Sequence, residues 1–585
     1  MNRNAAQREF KKLKNQVRQI QEIAHNSKGG ALLENESTIR KKLLSLQEIE
    51  KEGFKEYNQV VEGYQSILEE VDKKLIEDYN KKNDTDFDYY EVVRGKYTSL
   101  VNSGIMAVLI NQHIPKLIKQ EFNDNFPDNP KDEYRETRGI KRKFIIHLGD
   151  TNTGKTYNAM QILKKCKKGI YLSPLRILAL ENYERLNNEG VVCDLLTGEE
   201  EIIHENSTHT SCTIEKLNLK KQYEIAVIDE IQMINDSQRG AAWSRALLGV
   251  RAKEIHVCGA MNAKDILIKI LEDCGEQIEF KEYKRRIPLE VEDNDFTNSS
   301  IKAGDAIVVF SKKRVLEIAT NYANNGIKAS VLYGDLPPEV RRNQYEQFIS
   351  KVNSILVATD AIGMGVNLPI RRIIFLNTRK FDGDEVRDLT SQEVKQIAGR
   401  AGRIGIYDIG YVASRGPGIK FIKEKLKEED QTITQAVIGP TEAILRIKTL
   451  PLIQKLSLWS TRKEKLEYYR KMDISDYLII LERIKSYKLN EKIQWKLIKV
   501  PFDVNDEELM DQFIFYVDEL FVMKSKTISV PILTSGTLDE LELYYKKVNI
   551  YYSFCKIFNL DFDMQWVYDE RAKVSQLINE ILVTI

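Results

Sequence analysis

The chain has 585 residues, which at roughly 150 residues per domain argues for about four domains and excludes a single small module. With 42% hydrophobic and 30% charged residues, 13 Pro and 30 Gly, the composition is not that of a disordered, collagenous or membrane protein. Lys and Arg number 88 against 87 Asp and Glu, a net charge of +1, so any surface for a polyanion has to be local.

From Met1 to about Arg138 the sequence is charged and helical in period, as in VVEGYQSILEEVDKKLIEDY. It predicts a helical accessory domain over residues 1–138, with FNDNFPDNPKDEYRETRG as its exit linker. Beyond Lys141 short aliphatic runs alternate with helical segments: FIIHL, GIYLSP, YEIAVID and EIHVCG, then DAIVVFS, ASVLYG, SILVATD, RRIIFLN and GYVAS. Such runs predict parallel sheets covered on both faces. The polar stretch VEDNDFTNSSIKAGD divides them into two α/β domains, residues 139–297 and 298–431. Amphipathic helices then predict a helical domain over 432–585. Tyr544, Tyr545, Tyr551, Tyr552 and Phe554 recur there at helical spacing, which favours core packing over base stacking.

The opening MNRNAAQREFKKLKNQVRQ is basic, as a mitochondrial presequence is, but rich in Lys and Gln and poor in Ser. No apolar run approaches the roughly 20 residues needed to cross a bilayer. Together these features predict a soluble, cytoplasmic protein with no membrane partner, the mitochondrial matrix being the alternative. Cys166, Cys193, Cys212, Cys258, Cys274 and Cys555 lie singly, with no CxxC pair, so neither a disulfide framework nor a zinc module is suggested. His256 falls inside an aliphatic run and reads as a core residue.

Three motifs carry chemistry. Gly149-Asp150-Thr151-Asn152-Thr153-Gly154-Lys155-Thr156 satisfies GxxxxGK[ST] between a strand and a helix. Its backbone N–H groups suit phosphate oxygens, Lys155 reaches the β and γ phosphates, and Thr156 ligates magnesium, so ATP with Mg2+ is expected. The run YEIAVID ends in Asp229 and Glu230, the first placed to hold magnesium and the second to orient or deprotonate an attacking water. In QIAGRAGR, Arg400 and Arg403 are three apart among small residues, on one helical face, as arginine fingers require.

Taken in order, GDTNTGKT, DEIQ, VATDAIGMGVNLP and QIAGRAGR resemble the motor of superfamily two helicases. SPLRILALE, CDLLTGEE, YEIAVIDEIQMINDSQRGAAWSRALLG and ILVATDAIGMGVNLPIRRIIF make it similar to one branch, the mitochondrial degradosome RNA helicase and its bacterial relatives. The resemblance covers about Lys141 to Gly410 and continues more weakly through YLIILERIKSYKLNEKIQW and WVYDERAKV; residues 1–138 carry none. It implies an α/β fold of two tandem RecA-like parallel-sheet domains flanked by N-terminal and C-terminal helical domains. The activity implied is that of an ATP-dependent RNA helicase moving 3′ to 5′ on single strands and unwinding RNA duplexes in RNA turnover. A DNA-directed translocase and an ATP-gated RNA clamp that recruits a nuclease are the alternatives.

The same resemblance implies ATP contacts from Gly149 through Thr156 and from Asp229 and Glu230, with Gln232 sensing the γ-phosphate. Gln396, Arg400 and Arg403 would complete the pocket from the second lobe, and Asp360 and Gly363 would touch nucleotide. Cys258-Gly259-Ala260 takes the place of the coupling motif, departing from the Ser-Ala-Thr of better-known relatives. Single-stranded or duplex RNA, with DNA as the alternative polymer, would meet Pro174, Arg176, Thr197, Gly198, Thr213, Glu215, Ser311, Lys312 and Thr359 through its backbone. A hairpin over residues 380–387, turning at Asp382-Gly383, is either a strand-separating pin or an ordinary surface hairpin. A 3′-exonuclease such as polynucleotide phosphorylase is the partner implied.

Overall fold

A parallel sheet buried on both faces needs strands that are apolar on both sides, and residues 144–149 are buried without a break. The computed structural model describes residues 3–28, 30–49, 53–83, 89, 122–363, 368–383, 385–403, 405–447, 450–462 and 464–584. Met364 to Asn367 of the VATDAIGMGVNLP motif, and Asp384 of the expected hairpin, lie outside them.

The first lobe holds β1 (Lys143–Gly149), β2 (Gly169–Ser173), β3 (Cys193–Leu196), β4 (Glu201–Ile202), β5 (His209–Thr213), β6 (Gln222–Ile228), β7 (Arg251–Gly259) and β8 (Gln277–Tyr283). Their order is β4-β3-β5-β2-β6-β7-β1-β8, parallel throughout except for β3 with β4. The second lobe holds β9 (Leu289–Val291), β10 (Asp305–Val308), β11 (Ala329–Leu332), β12 (Ile355–Ala358), β13 (Arg372–Phe375) and β16 (Gly410–Ser414), in the all-parallel order β11-β12-β10-β13-β16-β9. Between β13 and β16 stands the antiparallel hairpin β14 (Arg379–Phe381) and β15 (Val386–Asp388).

Each aliphatic run of the sequence lies on a strand. Within the two large sheets, the strands without such a run are β3, β4, β5, β8 and β9. β5 reads His-Thr-Ser-Cys-Thr yet sits inside the sheet, because neighbours satisfy its polar atoms: the Ser211 hydroxyl donates to the Ala179 carbonyl at 2.6 Å. β8 is an edge strand, half-exposed along its length. β9 pairs with β16, so the second sheet already begins at Leu289, ahead of the expected start at 298.

The chain divides into two compact units, Met1–Asn129 with Pro440–Leu466 and Asp473–Ile498, and Pro130–Gly439 with Glu467–Met472 and Lys499–Ile585. In the first, helices Arg3–Asn26, Gly30–Ile49 and Tyr57–Asn83 share a core around Phe10, Leu13, Ile39, Tyr64 and Val71, and the Tyr64 hydroxyl donates to the Leu13 carbonyl at 2.8 Å. Buried Lys455 is neutralised there by Glu491 at 2.7 Å.

The second unit is the pair of lobes with helices Glu507–Val517, Leu538–Phe558 and Met564–Thr584. The stretch 432–585 is therefore shared between both units, and its described part also holds the parallel strand pair β17 (Ala436–Ile438) and β18 (Tyr469–Lys471). Much of the expected exit linker belongs to the first lobe. Thr137, Arg138 and Arg142 donate to the carbonyls of Gly249, Leu248, Leu247 and Val250, at the unpaired end of helix Gly240–Gly249, and Glu276 pairs both arginines. Tyr544, Tyr545, Tyr551, Tyr552 and Phe554 are all buried.

Candidate active site

In both sheets the motif residues stand at the carboxyl ends of strands or just beyond them, where open α/β sheets bind ligands. On the first sheet the ends of β1, β6 and β7 carry the nucleotide motifs, and the ends of β2, β3 and β5 carry Pro174, Thr197 and Thr213. On the second, Ser311 follows β10 and Thr359 follows β12.

The phosphate loop leaves β1 at Gly149, whose φ is +151° and where a Cβ would lie 1.9 Å from the Tyr283 carbonyl oxygen, so only glycine fits. Helix Lys155–Leu163 begins at Gly154. The Lys155 ammonium donates back to the carbonyls of Gly149, at 2.7 Å, and Asp150, and burial lowers its pKa. The Thr156 hydroxyl donates to Asp229 Oδ1 at 2.9 Å, and the Tyr171 hydroxyl donates to Oδ2 at 2.8 Å. Burial first, and then the charge of Glu230, holds the Asp229 carboxyl above the ordinary carboxylate range. Two hard oxygen ligands side by side, in a pocket that disfavours bare negative charge, fit a magnesium ion. No cluster of three His, Cys, Asp or Glu suited to a metal occurs among the described residues.

Glu230 sits in the left-handed region, φ +51° and ψ +50°, a strained conformation for a residue with a side chain. Gln232 donates to Glu230 and accepts the Ala260 N–H at 3.0 Å, tying DEIQ to Cys258-Gly259-Ala260.

From the second lobe, Arg400 is half-buried and donates to the Gly363 carbonyl, with Gln396 beside Gly363. Burial lowers its pKa, and Glu230 followed by Tyr345 and Asp229 oppose that. Burial raises the pKa of Glu181, on helix Arg176–Asn188, and the charges of Arg185, Arg403 and Arg400 oppose the rise. The lobes meet at the phosphate loop itself: Asn152 donates to the Gly402 carbonyl at 3.2 Å, and a Cβ on Gly399 would lie 2.7 Å from Thr151 Cβ. Asp360 instead pairs with Lys380 of β14 at 3.0 Å.

Five of the nine residues expected to meet RNA fall into two groups. Thr197, Ser311 and Thr359 accept from the backbone N–H groups of Glu200, Arg314 and Ala361, and so shape their own turns. Arg176 and Lys312 are held by the C-terminal helices and by lobe carboxylates. Arg176 pairs with Glu199, with Glu200 at 3.2 Å and with Glu339 at 2.9 Å, and donates to the Tyr545 hydroxyl at 3.1 Å. Lys312 pairs with Asp539 and Glu542, each at 2.5 Å, and the Tyr333 hydroxyl donates to Glu542 at 2.6 Å. The Ser553 hydroxyl donates to the Gly198 carbonyl at 3.4 Å.

Sequence reasoning missed Arg239, which joins Pro174 to Glu215 by donating to both, at 2.6 and 2.8 Å, and which covers the Trp243 ring. The i, i+4 spacing of Arg239 and Trp243 was its available signal. It also missed a relay that runs through two buried histidines: Asn158 donates to the Tyr283 hydroxyl, which meets His147, followed by His256 and Glu254, the last three contacts at 2.8 Å. His256 is thus a satisfied core residue.

Arg400 and Arg403 lie just beyond the end of helix Ser391–Ala398, in the turn that follows it, and not on one helical face as expected. Paired parallel-sheet lobes, with a phosphate loop and acid pair on one and this arginine turn on the other, define a two-lobed RecA-like nucleotide motor. Family matches agree: the DEXQ-box helicase domain of Suv3 over residues 130–283, the helicase conserved C-terminal domain over 293–405, and the ATP-dependent RNA helicase SUV3 C-terminal domain over 538–584. The chain is 36% identical over 443 residues to the DExH-box ATP-dependent RNA helicase DExH16, mitochondrial, of Arabidopsis thaliana, covering 72% of this chain and 77% of that one. It belongs to the SUV3 family of ATP-dependent RNA helicases. It is also 40% identical over 363 residues to ATP-dependent RNA helicase SUV3, mitochondrial, of Candida albicans, covering 59% and 50% of the two chains. To ATP-dependent RNA helicase SUPV3L1, mitochondrial, of Homo sapiens it is 41% identical over 326 residues, covering 53% and 42%. The chain spans about half the length of these last two relatives or less.

Proposed function

We propose that the chain hydrolyses ATP to move 3′ to 5′ along single-stranded RNA and to unwind RNA duplexes in RNA turnover. One observation carries the reading: Arg400 of the second lobe lies half-buried within the field of Glu230 and Asp229, opposite a phosphate loop that the same lobe touches through Gly399 and Gly402. Such an arrangement assembles both halves of a hydrolytic site only when the lobes are together.

In that site the loop N–H groups and Lys155 hold the β and γ phosphates. Glu230 orients a water and takes its proton as the water oxygen bonds to the γ-phosphorus and the bond to the β-bridging oxygen breaks. Arg400 and Arg403 offset the charge developing on the γ-phosphoryl oxygens. Magnesium bound by Thr156 and Asp229 would neutralise phosphate charge. Separation of the lobes afterwards releases ADP and phosphate and shifts the groups that contact the strand.

The relatives are named as mitochondrial proteins, which supports the matrix rather than the cytoplasm as the place of action. The test is ATP hydrolysis with and without single-stranded RNA and with matched DNA, beside displacement from duplexes bearing a 3′ or a 5′ overhang. Stimulation by RNA with displacement only from the 3′ overhang is the expected result. Stimulation without displacement would leave an RNA clamp, and stimulation by DNA alone a DNA translocase.

A further inference from the structure

Five residues, Lys284 to Pro288, join β8 of the first lobe to β9 of the second, and Arg285 among them touches both lobes. Its backbone N–H donates to Asp150 Oδ2 of the phosphate loop at 3.2 Å. Its guanidinium donates to the Gly399 carbonyl at 2.7 Å and to the Ala401 carbonyl, with Nε held by the Ile287 carbonyl at 2.6 Å. Gly399 and Ala401 are the neighbours of Arg400 on either side. The planar fork of a guanidinium can grip two carbonyls at once and fix the peptide between them.

We propose that Arg285 is a positioning residue for ATP hydrolysis: by holding the carbonyls that flank Arg400, it sets the reach of that arginine from the phosphate loop. The inference rests on the helicase reading above. Among the described residues, Arg285 hydrogen-bonds no nucleotide-motif side chain except Asp150, through its backbone, so it acts through the finger and not on phosphate. Nothing in QIAGRAGR or GDTNTGKT marks it, because it lies in the connector between them.

The experiment measures RNA-stimulated hydrolysis for the wild type, Arg285→Ala, Arg285→Lys, Arg400→Ala and the double variant Arg285→Ala/Arg400→Ala, with binding of a non-hydrolysable ATP analogue and thermal melting for each. Arg285→Ala is expected to lower kcat at least tenfold, with the KM for ATP and the analogue affinity changed less than threefold. Arg285→Lys should fall between, since an ammonium has no fixed fork for two carbonyls. The double variant should turn over no more slowly than Arg400→Ala, because a residue acting only through the finger has nothing left to position once the finger is gone. Unchanged kcat in Arg285→Ala, or losses that multiply in the double variant, would overturn the proposal. If Arg285→Ala does not fold, the cycle is read with Arg285→Lys. A wild type that hydrolyses no ATP would refute the helicase reading itself, whereas an active wild type matched by the Arg285 variants refutes this inference alone.

Discussion

The side-chain oxygen of Gln232 accepts the backbone N–H of Ala260 at 3.0 Å, while its amide donates to the Glu230 carboxylate. One side chain therefore joins the residue proposed to orient water to the end of β7. Removing it leaves the Ala260 N–H without its acceptor, at a cost of about 1–3 kcal/mol. Gln232→Ala is expected to keep ATP affinity within threefold of wild type while strand displacement per ATP hydrolysed falls at least fivefold. Equal loss of hydrolysis and displacement would show that Gln232 serves the chemistry and not its coupling.

Lys155 and Glu230 divide binding from turnover. Lys155→Ala removes the ammonium that the loop carbonyls hold in place, and both nucleotide affinity and hydrolysis should collapse. Glu230→Gln keeps the shape and loses the base, so hydrolysis should fall by roughly 10²–10⁴ with ATP still bound. Filter binding of labelled ATP beside phosphate release separates the two, and wild-type turnover in either variant contradicts the assigned roles.

Lys312, proposed to meet a strand phosphate, is neutralised by Asp539 and Glu542. Glu542→Gln should raise RNA affinity several-fold at low salt, because one competitor for the ammonium is gone, and should lower thermal stability because Lys312 and the Tyr333 hydroxyl lose a charged partner. Lys312→Ala should weaken RNA binding and flatten its salt dependence. Titrations at two salt concentrations check both, and an unchanged affinity in Glu542→Gln removes Lys312 from the strand path.

The hairpin β14–β15 exposes Phe381 and Val386, 61% and 54% accessible, while its base is fastened by Lys380 to Asp360 and Glu393 and by Arg387 to Glu393. Apolar side chains held out on a fixed base suit a wedge against stacked base pairs. Phe381→Ala with Val386→Ala should cut duplex unwinding at least tenfold and leave RNA-stimulated hydrolysis within twofold. Parallel loss of both activities, or loss of neither, would make it a surface hairpin.

Burial, followed by the charges of His256 and Lys281, holds His147 near pKa 4, below its ordinary value of 6.5. The folded state thus favours the neutral ring, and its stabilising contribution is complete above pH 6.5 and is lost as pH falls from there toward 4. His256 is shifted in the same direction. Each histidine adds at most about 1.4 kcal/mol per pH unit to the acid slope of stability. His147→Phe should be less stable at pH 7.5, since His256 and Tyr283 lose a partner, yet shallower in slope by about one proton between pH 6.5 and 4.5. Denaturant unfolding across that range decides, and identical slopes would mean that His147 does not titrate there.

Local chemistry made much of this protein legible before any fold was known: the phosphate loop, the acid pair at the end of β6, the two arginines and every strand that is aliphatic because both its faces are covered. Other features emerge only on folding, because the partners that define them are far apart in the chain. β5 becomes an inner strand only when the Ala179 carbonyl accepts from Ser211, and residues 130–138 join the first lobe only because helix Gly240–Gly249 ends in carbonyls that need donors. Lys312 meets Glu542 across 230 positions, and Arg285 meets Gly399 across 114. Periodicity and motif spacing report on neighbours within a few residues, whereas which carboxylate neutralises a given cation, or which carbonyl an arginine grips, is settled only when sheets and helices bring distant segments to hydrogen-bonding distance.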